Sequence, residues 1–171
     1  MKLILINGSS CSGKSTAVKA ILKRKEKLYH LSYDSLKRSF AQYVPEKHIR
    51  DIRTLILSVA RTMFGLGYDI ICDSISTKEP REKLIALARE FGYEIIEINF
   101  EADHDVLLRR FDERVLHAKA HPDIPITNLS RERWEELYTL YQNDKNRSAL
   151  IIRTDEQDPE ETLQAVLKRI S

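Results

Sequence analysis

The sequence predicts an α/β fold, a parallel sheet covered by helices on both faces. Three observations predict it. Short apolar runs alternate with amphipathic helical stretches along the whole chain. The first run, Leu3-Ile4-Leu5-Ile6, is continuous rather than alternating, as a strand buried on both faces should be. It passes at once into a glycine-bounded turn that opens a helix.

The remaining elements follow in order. Thr16 to Lys27 carries Val18, Ile21 and Leu22 at helical spacing and ends in Lys23, Arg24, Lys25 and Lys27, cations suited to a helix C-terminus. Leu28–Ser32 reads as a second strand and Asp34–Gln42 as a helix. Pro45 opens a longer helix with Ile49, Ile52, Leu55, Ile56, Val59 and Met63 on one face, stopped by Gly65 and Gly67. Tyr68–Cys72 is a third strand that runs into Asp73. Pro80 starts a helix carrying Leu84, Leu87, Ala88 and Phe91, ended at Gly92. Glu94–Phe100 is the fourth strand, His104–Ala118 a helix, and 121–128, with Pro122 and Pro125, a loop. Arg131–Asn143 returns to helix, with Trp134, Tyr138 and Tyr141 placed to pack it onto the core. Ala149–Arg153 is a fifth strand. Asp158-Pro159-Glu160-Glu161 then starts a last helix with an N-cap, a proline and an early carboxylate.

The 171 residues suit one domain over 1–171, and 42% hydrophobic with 32% charged residues is an ordinary globular balance. A net charge of +2 draws the chain toward neither nucleic acid nor membrane as a whole. Two cysteines, Cys11 and Cys72, supply no disulfide or metal framework. Met1–Asn7 is too short for a signal-peptide core, and no apolar run approaches the ~20 residues of a membrane span. The expectation is a cytoplasmic protein.

Gly8-Ser9-Ser10-Cys11-Ser12-Gly13-Lys14-Ser15 is a complete match to G-x-x-x-x-G-K-[ST]. Gly8 and Gly13 permit backbone conformations and close approach that a side chain blocks. The N–H groups of the loop, Ser10, Cys11 and Ser12 among them, then converge on phosphate oxygens at a helix N-terminus. Lys14 is placed to reach the β- and γ-phosphates, Ser15 to ligate Mg²⁺, and Thr16 to add contacts further back. The expected ligand is Mg-ATP. GTP switches need D-x-x-G and N-K-x-D; no aspartate here has glycine three residues on, and Asn143-Asp144-Lys145-Asn146 does not match the second motif.

Three further constellations carry chemistry. Asp73, at a strand end, is either a carboxylate facing Mg²⁺ or a helix-cap or turn residue. Asp34, just past the second strand, is either a base for an attacking hydroxyl or the N-cap of the helix it begins. Arg110 and Arg114, on one helix face with Arg109 beside them, either belong to a lid over about 109–128 that clamps the nucleotide or form a solvated face with Asp112 and Glu113. His117 and His121, four apart, lack an obvious third ligand and read as surface or lid residues.

These residues together resemble the P-loop kinase group that contains bacteriophage-type 5′-hydroxyl polynucleotide kinases, with zeta-toxin-like and chloramphenicol-phosphotransferase-like kinases as relatives. The resemblance is carried by Gly8, Gly13, Lys14 and Ser15, by Asp34 with Arg38 following, by Asp73-Ser74 then Pro80-Arg81, and by the Arg110/Arg114 pair. Lys37 stands third after Asp34, and Ile75 stands where the group has asparagine. The resemblance implies a P-loop NTPase three-layer sandwich, strand order 2-3-1-4-5, with a short helical lid. It also implies ATP-dependent transfer to a hydroxyl: Lys14, Asp34 and Arg114 catalytic, Ser15 and Asp73 on the metal, Arg110 on the nucleotide. The acceptor is a nucleic-acid end or a small-molecule alcohol; an ATP-binding regulatory module is the other class to weigh.

Overall fold

A computed structural model describes residues 1–73, 77–121 and 130–171. Strand β1 (Lys2–Gly8) leads into α1 (Lys14–Leu22), β2 (Leu28–Ser32), α2 (Tyr33–Arg38) and α3 (Pro45–Gly65). Next come β3 (Asp69–Asp73), α4 (Lys78–Glu90), β4 (Glu94–Glu101), α5 (His104–Ala120), α6 (Arg131–Asp144), β5 (Leu150–Arg153) and α7 (Pro159–Ile170). The five strands form one sheet in the order β2-β3-β1-β4-β5, and every pairing is parallel. This is the three-layer arrangement the sequence predicts. The 122–128 part of the lid predicted over about 109–128 and the Ser74–Ile75 step lie outside the described residues.

Central strand β1 is flanked by β3 (Ile6 opposite Asp73) and β4 (Gly8 opposite Phe100). Alternation then splits its side chains between two cores. Leu3 and Leu5 face Ile52, Ile56, Ala60 and Phe64 of α3 and Leu84 and Ala88 of α4. Ile4 and Ile6 face Ala17, Val18 and Ile21 of α1 and Leu163, Val166 and Ile170 of α7. A third cluster of Ala102, Leu107, Phe111 and Trp134 fastens α6 to α5. Trp134 and Tyr141 are thus buried packing residues.

Local details depart from the sequence reading for identifiable reasons. Helix α1 stops at Leu22, five residues before Lys27, in turns that bond Arg24 and Lys25 N–H back to Ile21 O. One of the cations that follow serves another helix end: Lys25 Nζ donates to Ile170 O at 2.8 Å, and Lys2 Nζ from β1 to the same carbonyl at 3.1 Å, at the C-terminus of α7. The buried stripe of α3 is Ile52, Ile56, Ala60 and Phe64, leaving Leu55 exposed. Helix α4 begins at Lys78, before Pro80. Helix α2 is six residues rather than nine, capped by Ser32.

The last helix is closed at its start by a capping box. Asp158 accepts from Glu160 and Glu161 N–H at 2.8 Å each, and Glu161 accepts from Asp158 N–H at 3.0 Å. Asp158→Ala is expected to cost about 1 kcal/mol, seen as a lower urea midpoint at unchanged m-value, with Asp158→Ser retaining most of the stability.

Candidate functional site

The loop after β1 is built by close backbone approach. A Cβ on Gly8, whose φ is +152°, would stand 2.6 Å from Phe100 O and 2.6 Å from Ser12 Oγ. No side chain fits between β1 and β4 there. Gly13 is a different case: its φ of +86° calls for glycine although the space around it is open. Cys11 also takes a left-handed conformation, φ +67°, in spite of its Cβ. Ser12 N–H donates to Ser9 O at 3.3 Å and its side chain is buried under the turn.

This turn folds the loop's carbonyls around one cation. Lys14 Nζ donates to Gly8 O at 2.7 Å and Ser9 O at 2.6 Å, with Ser12 Oγ at 3.4 Å. Burial of the ammonium pushes its pKa down to about 8; Asp73, Cys11 and Asp34 oppose the shift, and Arg114 adds to it. Four of the residues singled out in the sequence, Lys14, Asp34, Asp73 and Arg114, therefore lie within electrostatic reach of one point. Helix α1 starts there with no side-chain cap and no acidic residue in its first turn. Ser15 and Thr16 are exposed on that turn, and Ser10 is partly exposed on the loop before it. The positive end of the helix and the orphan N–H groups of its first turn suit an anion.

The two carboxylates differ sharply. Asp73 closes β3, its side chain only 6% exposed, and His30 Nε2 lies 2.9 Å from its Oδ1. Thr77, not Asp73, occupies the N-cap position of α4, though without a side-chain capping bond, which removes the cap alternative for Asp73. Asp34 is 58% exposed and pairs with Lys37 at 3.1 Å. Ser32 caps α2, accepting from Ser35 N–H at 3.3 Å, so Asp34 sits inside the first turn and the cap alternative falls here too. Both acids stand at the carboxyl edge of the sheet, where ligands bind in open α/β folds.

The arginines of α5 take separate places. Arg110 donates to Thr154 Oγ1 at 3.1 Å and Thr154 O at 2.7 Å, which holds it on the turn after β5. Arg114 is exposed and acts on Lys14 through its charge. Arg109 lines an open surface depression with Asp112, Glu113 and Arg131. The rings of His117 and His121 are 4.5 Å apart between centroids. Arg81 turns away from the sheet edge: it is buried, with Nε 3.6 Å from Glu97 and Nη2 donating to Asp144 O at 2.9 Å. Its place is the joint of α4, β4 and α6.

Sequence reasoning missed His30 and Thr154. His30 follows the alternation of β2 onto the face of Asp73, but only the parallel register of β2 on β3 brings the two together. Thr154 meets Arg110 across 44 residues. Among the described residues no group of three or more His, Cys, Asp or Glu could hold a metal. Ser15 and Asp73 are the side-chain oxygens that could hold a hard cation here, with ligand and water supplying the rest, as Mg²⁺ is commonly held. No helix among the described residues is long and apolar enough to cross a membrane.

Comparison with known proteins agrees with this architecture. The AAA_33 family model, described as an AAA domain, matches residues 3–126. A curated nucleotide-binding protein of Neisseria gonorrhoeae (strain NCCP11945) is 30% identical over 141 residues, which are 82% of this chain and 45% of the relative. The chain thus spans less than half the length of the curated relatives it matches. The APS kinase of Mycobacterium tuberculosis, solved with AMPPNP and APS, is 17% identical with a TM-score of 0.64 over 99% of this chain and 98% of that one. A chain of the Pnkp1/Rnl/Hen1 RNA repair complex is 16% identical with a TM-score of 0.67 over 83% of this chain and 44% of that one. These structures share the fold.

Two outcomes follow from the loop geometry. Cys11→Gly relieves the left-handed strain and is expected to raise stability by about 1 kcal/mol in urea melts. Lys14 has a folded pKa below its unfolded one, so between pH of about 8 and the usual lysine value the unfolded chain binds more protons. Stability of the ligand-free protein should then rise with pH across that window. Urea melts of wild type and Lys14→Met at paired pH values check this, since the variant should lack that component of the rise.

Proposed function

This chain belongs to the AAA_33 family of AAA domains, and we propose that it is a P-loop phosphotransferase that moves the γ-phosphoryl group of Mg-ATP to an acceptor hydroxyl. The observation that carries the proposal is the Lys14 ammonium held on Gly8 and Ser9 carbonyls at the uncapped start of α1, in electrostatic reach of Asp73 at the end of β3 and Asp34 in the first turn of α2. A binding module needs the loop and helix end. It does not need an exposed carboxylate beside them.

The residues divide the work by chemistry. Loop N–H groups from Ser10 to Thr16 and the α1 dipole bind the phosphates. Lys14, once it exchanges loop carbonyls for phosphate oxygens, neutralises charge that grows on the β–γ bridge during transfer. Ser15 and Asp73 would hold Mg²⁺, which would supply further neutralisation of the phosphate chain. The His30 contact fixes the orientation of the Asp73 carboxylate. Asp34, exposed at the edge of β2, accepts the proton of the acceptor hydroxyl. The acceptor oxygen then bonds to the γ-phosphorus as the bond to the β-bridging oxygen breaks, and ADP leaves. Arg114 stabilises the equatorial oxygens, and Arg110, tied to Thr154, borders the nucleotide.

Similar folds lend support to a phosphotransferase: one is that of an APS kinase and another that of a chain in an RNA repair complex. The curated relative, named a nucleotide-binding protein, supports nucleotide binding alone. A 5′-hydroxyl nucleic-acid end and a small alcohol are both acceptors that such a site accommodates.

The test is transfer of label from γ-labelled ATP to a panel of oligonucleotides, nucleosides, sugars and antibiotic-like alcohols. Asp34→Asn is expected to keep nucleotide affinity and lose transfer by about 10²–10⁴-fold. Lys14→Met should weaken nucleotide binding itself. ATP consumption that no acceptor stimulates, together with an unaltered Asp34→Asn, would falsify the phosphotransferase reading.

A further inference from the structure

A second pocket, of roughly 320 Å³, opens between α2, α3 and the start of α4. Its walls include Tyr33, Arg50, Arg53, Glu79 and Lys83. The position follows from the topology. Tyr33 is the neighbour of Asp34 at the carboxyl end of β2, and α4 is the helix that follows Asp73 at the end of β3. The pocket is therefore bounded by the two chain segments that carry on from β2 and β3 at the carboxyl edge of the sheet.

Its charge is out of balance. Three cations meet one carboxylate, a surplus of two positive charges. Glu79 is engaged by Lys83 at 2.7 Å and by Arg53 at 3.7 Å. Arg50 has no ion pair among the described residues. Arg53 also lies beside the Tyr33 hydroxyl, and its Nε is buried with no hydrogen-bond partner among the described residues. A buried guanidinium N–H without an acceptor opposes folding and stands ready for a ligand oxygen. Two guanidinium forks and an ammonium match the oxygens of a phosphate monoester, whose dianionic charge equals the surplus. A neutral sugar or alcohol would leave that surplus unmet.

We infer that this pocket holds a phosphate monoester carried by the acceptor, so that the substrate is a phosphorylated alcohol gripped by Arg50, Arg53 and Lys83 with its free hydroxyl at Asp34. This rests on the phosphotransferase reading above. The class includes sugar phosphates and nucleotides whose phosphate lies away from the reacting hydroxyl.

The experiment has two arms on the full chain. In the first, transfer from ATP is measured to matched pairs: glycerol 3-phosphate and glycerol, ribose 5-phosphate and ribose, 3′-phosphorylated and unphosphorylated nucleosides. The phosphorylated member should have a kcat/KM at least about tenfold higher. Arg50→Ala and Arg53→Gln should each raise its KM about tenfold, with KM for ATP unchanged. Arg50 is exposed, so its variant keeps the test valid if Arg53→Gln folds poorly. In the second arm, inorganic phosphate is titrated into Lys14→Met protein while NMR follows the Arg53 Nε–H signal, identified by its loss in Arg53→Gln. A saturable shift, weakened by Arg50→Ala, is expected.

A phosphate-dependent shift without transfer to any acceptor leaves the pocket standing and sinks the phosphotransferase reading. Equal transfer to both members of every pair, with no shift, overturns the pocket and spares that reading. A shift with no preference for phosphorylated acceptors makes this a site for free phosphate and overturns the ester assignment. Neither shift nor transfer rejects both.

Discussion

The structure depends on the approach of the Gly8 backbone to Phe100 O at the end of the central strand. β1 is hydrogen-bonded on both sides, so it has no freedom to move away from β4. A Cβ at Gly8 would lie 2.6 Å from that carbonyl, inside any tolerable contact. The chain turns over Phe100 because glycine lets it, and the turn then points the carbonyls of Gly8 and Ser9 inward. Every later feature of the site is set by where those carbonyls and the following helix end come to lie.

That geometry creates an electrostatic tension the protein holds in place. A helix N-terminus without cap or acid, an enclosed ammonium and Arg114 gather positive character at one end of the sheet. Burial lowers the pKa of Lys14, while Asp73 and Asp34 pull the other way. Polyanionic ligands relieve such a tension, because they supply both the charge and the acceptors that the loop carbonyls provide to Lys14 only in part. The two carboxylates differ in burial for a reason that suits different tasks. A buried, histidine-braced acid has a fixed orientation, as a metal ligand needs. An exposed acid can meet a substrate hydroxyl that arrives from solvent.

The two faces of the sheet divide the labour. One core seats α1 and α7 and so anchors the phosphate loop. The other seats α3 and α4, whose outer ends frame the basic pocket around Arg53. The phosphate loop and the basic pocket thus rest on separate hydrophobic clusters on opposite faces of the sheet. Behind β4, Arg81 and Glu97 form an ion pair with Asp144 and Asn146 close by, which pins α4 to the chain segment after α6.

The sequence by itself determined the layer order and the phosphate loop. Both are encoded locally: a continuous apolar run means a strand buried on both faces, and Gly8 to Ser15 is a contiguous stretch whose geometry follows from its own residues. It also nominated Asp34 and Asp73, since both sit at strand ends that periodicity can locate. What it left open was whether each was a helix cap, and Ser32 and Thr77 take those positions in the structure. The partnership of His30 with Asp73, the docking of Arg110 on Thr154, the inward turn of Arg81 and the pocket of Arg50, Arg53 and Lys83 were decided only by tertiary structure. Each depends on strand register or on the rotation of one helix against another. Those quantities are set by packing between segments far apart in the chain, and a pattern of residues along one segment carries no record of them.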